Sequence, residues 1–535
     1  MNTGWRQSMT WLHTWIGLIL CWVMYFMFVT GTTGYFDDEI DQYMTPEIEH
    51  HAPATMEQRF ISLMEYGNTH ALAAQSWFLR LEAQRSGLLS RIFYRVPDPE
   101  NPDKTVSHNT YIDPRTGHDV TDIARDTAGG QTLYRMHWRL HYIDSQIAYY
   151  LIGIVTLFMF IGVVSGIVIH RKIFTDFFTF RAQKNGKGWL DAHNLVSVTS
   201  LPFQLMISYS GLLFMVTTFL PLIGYGSFGF DEKATRQAVQ DLRPQVLVEK
   251  SGTPAPMLSP DKLFEKINAQ LDLTQVTSIQ VKAPGDANAV VVVRVSESIY
   301  GARTAQSIVF SAITGDYIES KPRAVNAAMQ FNRVMLDLHE GIFASTELRW
   351  LYFVAGLLGA TMMATGAIYY VRKRRVKLGP KASLPRYLRN IEATNIAVIV
   401  GLVTSIAVFF IANRLLPIDL ENRADWEMHC LFISWFACFV HAYCRPASKA
   451  WFEQLYFAGI CYLSLPFINV LMIDQHLINA IADQNWVFAG TDLLSLLLAG
   501  VFFYIASQLQ QKSQMRQQKS KHSRALNSSQ AERAL

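Results

Sequence analysis

The sequence predicts a polytopic α-helical membrane protein with about eight spans and two small α/β domains outside the membrane. Three observations predict this class: half of the 535 residues are apolar and only 17% are charged, long stretches carry no charged side chain, and the chain contains a tandem repeat. A soluble protein of this length is more polar, and a protein made only of spanning helices carries fewer charges. A combination of spans and soluble domains accounts for both features.

Eight stretches are apolar and long enough to cross ~30 Å of hydrocarbon, which takes about 20 helical residues. The first four are expected at 1–36, 144–172, 189–224 and 349–372, and four more follow within 390–507. The sixth, between Glu427 and Arg445, is a shorter run and is alternatively a re-entrant segment. The first is too long for a signal peptide, so it is interpreted as an uncleaved helix.

Basic residues predict the orientation of these spans. Lys and Arg cluster after the second span, at 171–187, after the fourth, at 372–377, and in the last segment, 508–535. Because short loops rich in Lys and Arg stay in the cytoplasm, both termini are predicted to be cytoplasmic. Residues 37–143 and 225–348 then become two large domains on the periplasmic side of a bacterial inner membrane. Both have helix and strand patterns of a small α/β module.

An internal repeat relates the first span to the third. The interval from His13 to Gly31 in the first span equals the interval from His193 to Gly211 in the third. Both histidines are near the start of their span and both glycines are near its end. The two spans therefore correspond position by position.

The same repeat relates the two outer domains and the spans that follow them. Gly117 ends a predicted strand and turn, Gly315 does the same, and the interval from Gly117 to His141 equals the interval from Gly315 to His339. Agreement at two independent places predicts a tandem of two helix–domain–helix units.

The repeat places four histidines in two pairs. Repeats of parallel topology pack about a pseudo-twofold axis along the membrane normal, so His13 is expected opposite His193 on the cytoplasmic side. His141 is expected opposite His339 on the outer side. Two facing imidazoles in a helical bundle are the axial ligands that a b-type haem requires, so the sequence predicts two haems b. For each histidine alone, the alternative is a hydrogen bond to a neighbouring helix.

Further histidines leave alternatives open. His137 lies one helical turn before His141 and either replaces it as ligand or binds a haem propionate, whereas His141 alone keeps the repeat spacing. His170 ends the second span and either binds a further cofactor or the haem edge, or is an interfacial side chain. His429 and His441 in the sixth span lack repeat partners, so no third haem is assigned to them.

The sequence lacks the motifs that are typical of several functional classes. The five cysteines form no C-x-x-C or C-x-x-C-H pattern, so c-type haem, iron–sulfur clusters and a disulfide framework are not expected. Neither a dinucleotide-binding glycine motif after a strand nor a P-loop occurs. Electrons would therefore come from a separate cytoplasmic or membrane donor, a flavin reductase or a quinol. The lipid bilayer is an expected partner and a nucleic acid is not.

Several stretches resemble the PepSY-associated transmembrane family over roughly residues 1–380. The resemblance is carried by Leu12-His13-Thr14-Trp15-Ile16-Gly17-Leu18, Thr30-Gly31, Leu140-His141, the stretch from His170 to Arg181, Trp189-Leu190-Asp191-Ala192-His193-Asn194 and Ser208-Tyr209-Ser210-Gly211-Leu212. Similar members include inner-membrane dihaem reductases for ferric siderophores. The resemblance therefore implies b-type haem, PepSY-like folds in the outer domains and reduction of a ferric siderophore on the periplasmic side.

The resemblance leaves three questions open. The family is functionally mixed, so a non-enzymatic protein that binds or transports a siderophore or metal, or a quinone-linked haem oxidoreductase, is the alternative function. The four spans after Pro380 depart from compact four-helix members and have no assigned role. Asp492, in the last span, is either a proton-transfer group or a hydrated acid near the outer end.

Overall fold

The computed structural model describes residues 3–48, 54–81, 89–98, 105–121, 124–170, 188–228, 246, 248–271, 276–296, 305–321, 327–379 and 383–532. The basic cluster at 171–187 lies outside the described residues. The chain divides into two compact units. The first comprises Met1–Pro46, Asp126–Leu205 and Leu351–Leu535, and the second comprises Glu47–Arg125 and Met206–Trp350.

The described residues are mostly helical, as the sequence predicts. The helices are α1 (Thr3–Thr33), α2 (Asp37–Met44), α3 (Met56–His70), α4 (Gly129–Arg139), α5 (Ser145–Ile169), α6 (Gly188–Thr199), α7 (Leu201–Phe228), α8 (Pro260–Asn268), α9 (Ala327–Glu340), α10 (Thr346–Leu378), α11 (Arg386–Leu415), α12 (Arg423–Cys444), α13 (Ala447–Met472), α14 (Leu477–Ala482) and α15 (Trp486–Glu532). A 3₁₀ turn, Gly34–Phe36, joins α1 to α2. The strands are β1 (Ser76–Arg80), β2 (Ser90–Pro97), β3 (Thr105–Ile112), β4 (Val276–Lys282), β5 (Val290–Ser296), β6 (Ala305–Ser311) and β7 (Tyr317–Lys321).

Among the described residues, six helices are long and apolar enough to cross a membrane, and a bent pair brings the number to seven if it is one span. The pair is α6 with α7, which meet at an angle of 68°. Pro202 has no backbone N–H and its ring crowds the preceding turn, so the helix breaks at Ser200. Helix α12, the predicted sixth span, is not among the six. It begins with Arg423, Asp425 and Glu427, which lower its mean hydropathy, so the count of eight stays a prediction.

Strands from both predicted outer domains form one antiparallel sheet in the second unit. Its order is β3-β2-β1-β4-β5-β6-β7, and β1 pairs with β4 through Trp77 opposite Val281 and Leu79 opposite Ile279. The sequence suggests two separate domains instead. Separate sheets would leave the backbone groups of β1 and β4 unpaired at exposed edges, and their pairing removes both edges.

The sheet packs one face against two helices. Helices α3 and α8 and the strands share a core that includes Phe60, Trp77, Leu263, Val291 and Phe310, each at most 1% exposed. Thr55 begins α3 with a capping box, in which its hydroxyl accepts from the Gln58 backbone and the Gln58 side chain accepts from the Thr55 backbone.

The repeated turns predicted in the two outer segments have the same geometry. Gly117 follows β3 with φ 70° and Gly315 follows β6 with φ 75°. Each donates its N–H to the residue four positions earlier, to Asp113 at 2.8 Å and to Ser311 at 2.9 Å. A left-handed backbone favours glycine, so the spacing that the sequence repeats corresponds to a repeated turn.

Candidate cofactor site

The structure brings His13 of α1 and His193 of α6 together in the first unit. Their ring centroids lie 6.4 Å apart, with the ring planes at 65°. A metal–imidazole nitrogen bond is about 2.0 Å long, so two imidazoles on opposite sides of one metal ion have centroids roughly 6 Å apart. The pair is therefore spaced to hold one metal atom between the rings.

The other ring nitrogen of each histidine is held by a backbone carbonyl. His13 Nδ1 lies 2.9 Å from the Gly162 oxygen on α5, and His193 Nδ1 lies 2.9 Å from the Met362 oxygen on α10. A carbonyl oxygen only accepts, so each Nδ1 carries the proton and donates. Each Nε2 therefore keeps a lone pair that is available to a metal, and the hydrogen bond at Nδ1 fixes the orientation of each ring.

Helices α5 and α10, which carry these two carbonyls, also match each other around the rings, a correspondence that the repeat spacing did not predict. Gly166 on α5 and Gly366 on α10 both face the rings, because a Cβ at either position would lie 3.3 Å from Cε1 of His13 or His193. The hydroxyls of Ser165 and Thr365 lie 3.3 and 3.5 Å from the two Nδ1 atoms. The sequence signal for this correspondence is that Ser165-Gly166 in α5 recurs as Thr365-Gly366 in α10.

A cavity of about 400 Å³ surrounds the two rings within the first unit. Most of its wall is apolar, and it includes Gly17 and Ser197, which lie four residues after His13 and His193 respectively. His170, the C-cap of α5, also lines it, as do Tyr369 and Lys373 near the end of α10. The structure thus brings three of the six candidate histidines, those at 13, 170 and 193, to one cavity.

His137 lies on α4 and packs against the first span. A Cβ at Gly31 would lie 3.3 Å from Cγ of His137, and His137 Nδ1 donates to the Tyr134 carbonyl. Burial lowers the pKa of His137 to about 4, so its ring is neutral at neutral pH. Nε2 then keeps a lone pair for a metal.

His141 has different surroundings. It lies beyond the end of α4, between Leu140 and Tyr142, whose φ values of 52° and 64° are strained for residues other than glycine. Its ring stacks on Phe432 at 5.6 Å, and the Tyr142 hydroxyl is hydrogen-bonded to His429 Nδ1. His141 therefore belongs to an aromatic cluster with α12.

His339 belongs to the second unit, near the end of α9. Its Nδ1 lies 2.9 Å from the Ser210 hydroxyl on α7, beside Gly211, the repeat counterpart of Gly31. His137 and His339 thus contact equivalent places on the first helix of their own repeat, although the sequence spacing selects His141. Ligation by any of these histidines stays a prediction.

A buried carboxylate connects the C-terminal helices to the start of α4. Glu427 on α12 accepts from the Thr127 hydroxyl at 2.7 Å, from the Ala128 N–H at 2.9 Å and from Asn413 at 2.8 Å. It also pairs with Arg423 at 2.5 Å, and neither side chain is exposed. Residues 126–128 lead directly into α4, so these helices hold the element that carries His137. The sequence signal for this buried contact is the presence of charged residues at the ends of apolar helices.

Two other polar residues of the C-terminal helices have clear surroundings. Asp492 is fully buried, and its Oδ1 accepts from the Tyr43 hydroxyl at 2.9 Å and from Asn469 at 2.8 Å. It is therefore part of a buried polar network within the first unit. His441 pairs with Glu453 at 3.1 Å in a partly exposed position.

Within the described part of the chain, no group of three or more His, Cys, Asp or Glu side chains is placed to hold a metal ion. A pair of imidazoles suits a metal that brings most of its own ligands. A porphyrin supplies four nitrogens to its iron, so such a pair completes the coordination.

The apolar helices and the separate antiparallel sheet define a multi-pass membrane protein. In a comparison with known families, the model of the PepSY-associated TM region matches residues 10–373. The chain belongs to this family, which confirms the resemblance seen in the sequence. The matched region contains all four repeat histidines and ends before the last four predicted spans. No curated protein matches the chain.

Proposed function

We propose that the protein is a transmembrane electron carrier that holds two b-type haems and reduces an extracytoplasmic ferric substrate, with ferric siderophores as the leading class. The single observation that carries the proposal is the geometry of His13 and His193, with rings 6.4 Å apart and both Nδ1 atoms bonded to carbonyls. Hydrogen bonding of the distal nitrogen is the arrangement in which protein imidazoles bind metals.

The residues around this pair fit a haem. The mostly apolar wall suits the macrocycle, and the small residues Gly166 and Gly366 let it approach the helix backbone. Lys373 and Tyr369 suit the propionates. When bound, haem supplies reversible one-electron transfer at its iron. The chain's own part is to hold both imidazoles neutral and oriented and to exclude water from their Nε2 atoms.

A second site is proposed on the outer side, formed by His339 with either His137 or His141. Two sites at two depths suit electron transfer across the membrane, because one site does not bridge ~30 Å of hydrocarbon. In this proposal the eight spans lie in a bacterial inner membrane with both termini in the cytoplasm. The sheet unit, with PepSY-like folds, is then periplasmic and meets the substrate.

Stopped-flow spectroscopy tests the function. Protein reduced by dithionite and freed of excess reductant is mixed with a panel of ferric chelates in the presence of a ferrous-iron trap. We expect the haem to be reoxidised while one ferrous ion is trapped per electron, and we expect a His13→Ala, His193→Ala double variant to be impaired. If a quinone reoxidises the haem and no ferric chelate does, the quinone-linked alternative replaces iron reduction.

The electron donor is tested with the same protein. Because no nucleotide-binding motif occurs in the sequence, NADH or NADPH alone should not reduce the haem, and adding a flavin reductase or a quinol should. Rapid reduction by NADPH in a pure sample would contradict this expectation.

The outer ligand is tested by paired substitutions. His137→Ala should remove about half of the bound haem, since loss of an axial ligand weakens retention, and His141→Ala should leave the haem content unchanged. The reason is that His137 packs against Gly31 of the first repeat, and His339 correspondingly contacts Ser210, the neighbour of Gly211 in the second repeat. The pyridine haemochrome assay measures the ratio of haem to protein. If His141→Ala loses haem and His137→Ala does not, the outer ligand is His141, as the repeat spacing predicts.

The close approach of Gly366 to His193 gives a further test. Gly366→Val places a branched side chain where a Cβ already lies 3.3 Å from the ring, so the imidazole must move. Haem content should fall toward that of a His193→Ala variant, and the low-spin electron paramagnetic resonance signal should change. Gly500→Val is the control, because a Cβ at Gly500 meets no atom within 4 Å. Equal haem content in both variants would argue against the site.

A further inference from the structure

Asp492 is a fully buried acid of the first unit that the proposed function does not use. It lies in α15, and its Oδ1 accepts hydrogen bonds from the Tyr43 hydroxyl at 2.9 Å and from Asn469 at 2.8 Å. Its Oδ2 is buried and has no hydrogen-bond partner among the described residues. Buried polar atoms are nearly always paired in folded proteins, so this oxygen needs a proton or a donor. An acid inside an apolar span commonly belongs to a path for ions or protons.

A second unpaired polar atom belongs to a neighbouring residue. His476 lies between α13 and α14 and is partly exposed, and within the described part of the chain its buried Nδ1 has no hydrogen-bond partner. It is one of the residues whose charge acts on Asp492. A protonated carboxyl donates a hydrogen bond and an imidazole nitrogen accepts one. One proton therefore gives the two groups complementary roles, either directly or through one water.

Groups from four elements face the Asp492 carboxyl. They are Tyr43 of α2, Arg414 of α11, Asn469 of α13 and His476 of the loop that follows α13. Helix α14, which also packs on α15, contains no titratable residue. Isolation from solvent makes a charged carboxylate costly, whereas the Arg414 cation stabilises the charge. These opposing effects suit a group that changes its protonation state.

Hydrogen bonds connect this site to the start of α4, the helix of His137. Asn469 accepts from Arg414 Nε at 2.8 Å, and the same guanidinium donates to the Asn413 side chain. Asn413 donates at 2.8 Å to Glu427, the carboxylate that holds the segment before α4. The side chains of this connection are all buried, and electrostatic effects are strong in a network without solvent. A proton bound at one end therefore acts on the helix of the proposed outer ligand at the other end.

We propose that Asp492 and His476 form a proton-binding site that takes up one proton when the outer site receives an electron. The proton comes from water, passes the partly exposed His476 imidazole and forms an O–H bond at Asp492 Oδ2. It leaves by the same route when the ferric substrate removes the electron, so that charges and protons balance. Histidine suits this transfer because its imidazole exchanges protons near neutral pH. The coupling rests on the proposed function for the electron, whereas the proton site itself does not depend on haem.

Infrared spectroscopy of the full chain in nanodiscs tests the proton site without electron transfer. The buffer is exchanged between mildly acidic and mildly alkaline pH, and the difference spectrum shows the carbonyl stretch of a carboxylic acid that loses its proton. We expect a band that shifts in heavy water, disappears in Asp492→Asn and stays in Asp483→Asn. Asp483 is the matched control, since it is an exposed acid between α14 and α15.

A second variant assigns the band even if Asp492→Asn does not fold, which far-UV circular dichroism verifies. Tyr43→Phe removes the hydroxyl that donates to Asp492 Oδ1, so the band should remain and move to higher frequency. Absence of the band in the native protein, or an unchanged band in both variants, overturns the proposal.

Reduction of the haem-loaded protein tests the coupling. The same band should appear in the reduced-minus-oxidised spectrum, and a pH indicator in weakly buffered solution should show about one proton taken up per electron at the outer site. His476→Gln should slow this uptake at least about tenfold, because a proton-transfer group is lost, and leave the haem content unchanged. Reduction without the Asp492 band overturns the coupling and leaves the electron carrier intact. An Asp492-dependent band in a protein that binds no haem would refute the proposed function and support the proton site.

Discussion

Replacing His193 by Ala is expected to remove about half of the haem bound by the protein, because an axial ligand is lost from one of two sites. His13→Ala should have the same effect, and the double variant should lose no more than either single variant. The reason is that the proposed function assigns both imidazoles to one metal, on the ground that their rings are 6.4 Å apart and line the same cavity. The reduced-minus-oxidised spectrum and the haem-to-protein ratio measure the loss.

His441→Ala is the control for this pair. His441 is also a histidine of an apolar helix in the first unit, but it pairs with Glu453 in a partly exposed position, so its loss should leave the haem content unchanged. Full haem content in His13→Ala and His193→Ala, after expression with ample haem, would refute the inner site. A colourless native protein would favour the non-enzymatic alternative.

Replacing Glu427 by Ala is expected to lower the free energy of unfolding by about 3–5 kcal/mol, the usual result of removing one partner of a buried ion pair. Arg423 would be left charged with no exposure to solvent. The Thr127 hydroxyl and the Ala128 N–H would also lose their acceptor, which adds to the cost. Unfolding in mixed micelles of increasing sodium dodecyl sulfate fraction measures the change.

Glu453→Ala is the matched control, since Glu453 pairs with Arg445 at 2.6 Å on the exposed side of the neighbouring helix. Water screens that pair, so its loss should be far less destabilising. Equal effects of the two substitutions would contradict the assignment of Glu427 as a structural clamp. Haem content in Glu427→Ala is a second readout, because the clamped segment leads into the helix of His137.

The predicted pairing of His13 with His193 shows how much a repeat can reveal. Equal spacing to Gly31 and Gly211 implies two copies of one unit, and copies related by an axis bring equivalent positions together. The apolar stretches likewise predicted the helices, because a bilayer core accepts only segments that satisfy their own backbone hydrogen bonds. Membership of the PepSY-associated family was visible in the same short motifs.

The sequence by itself determined the membrane class, the repeat and the closeness of His13 to His193, since each depends on composition or spacing along the chain. Tertiary structure alone decided that β1 pairs with β4, because the partner of a strand edge is chosen among segments far apart in sequence. It also decided that His137 packs against Gly31 while His141 stacks on Phe432. His137 and His141 are one helical turn apart, so the sequence pattern hardly distinguishes them. Only the packing of neighbouring helices determines which of the two rings lies against the first span.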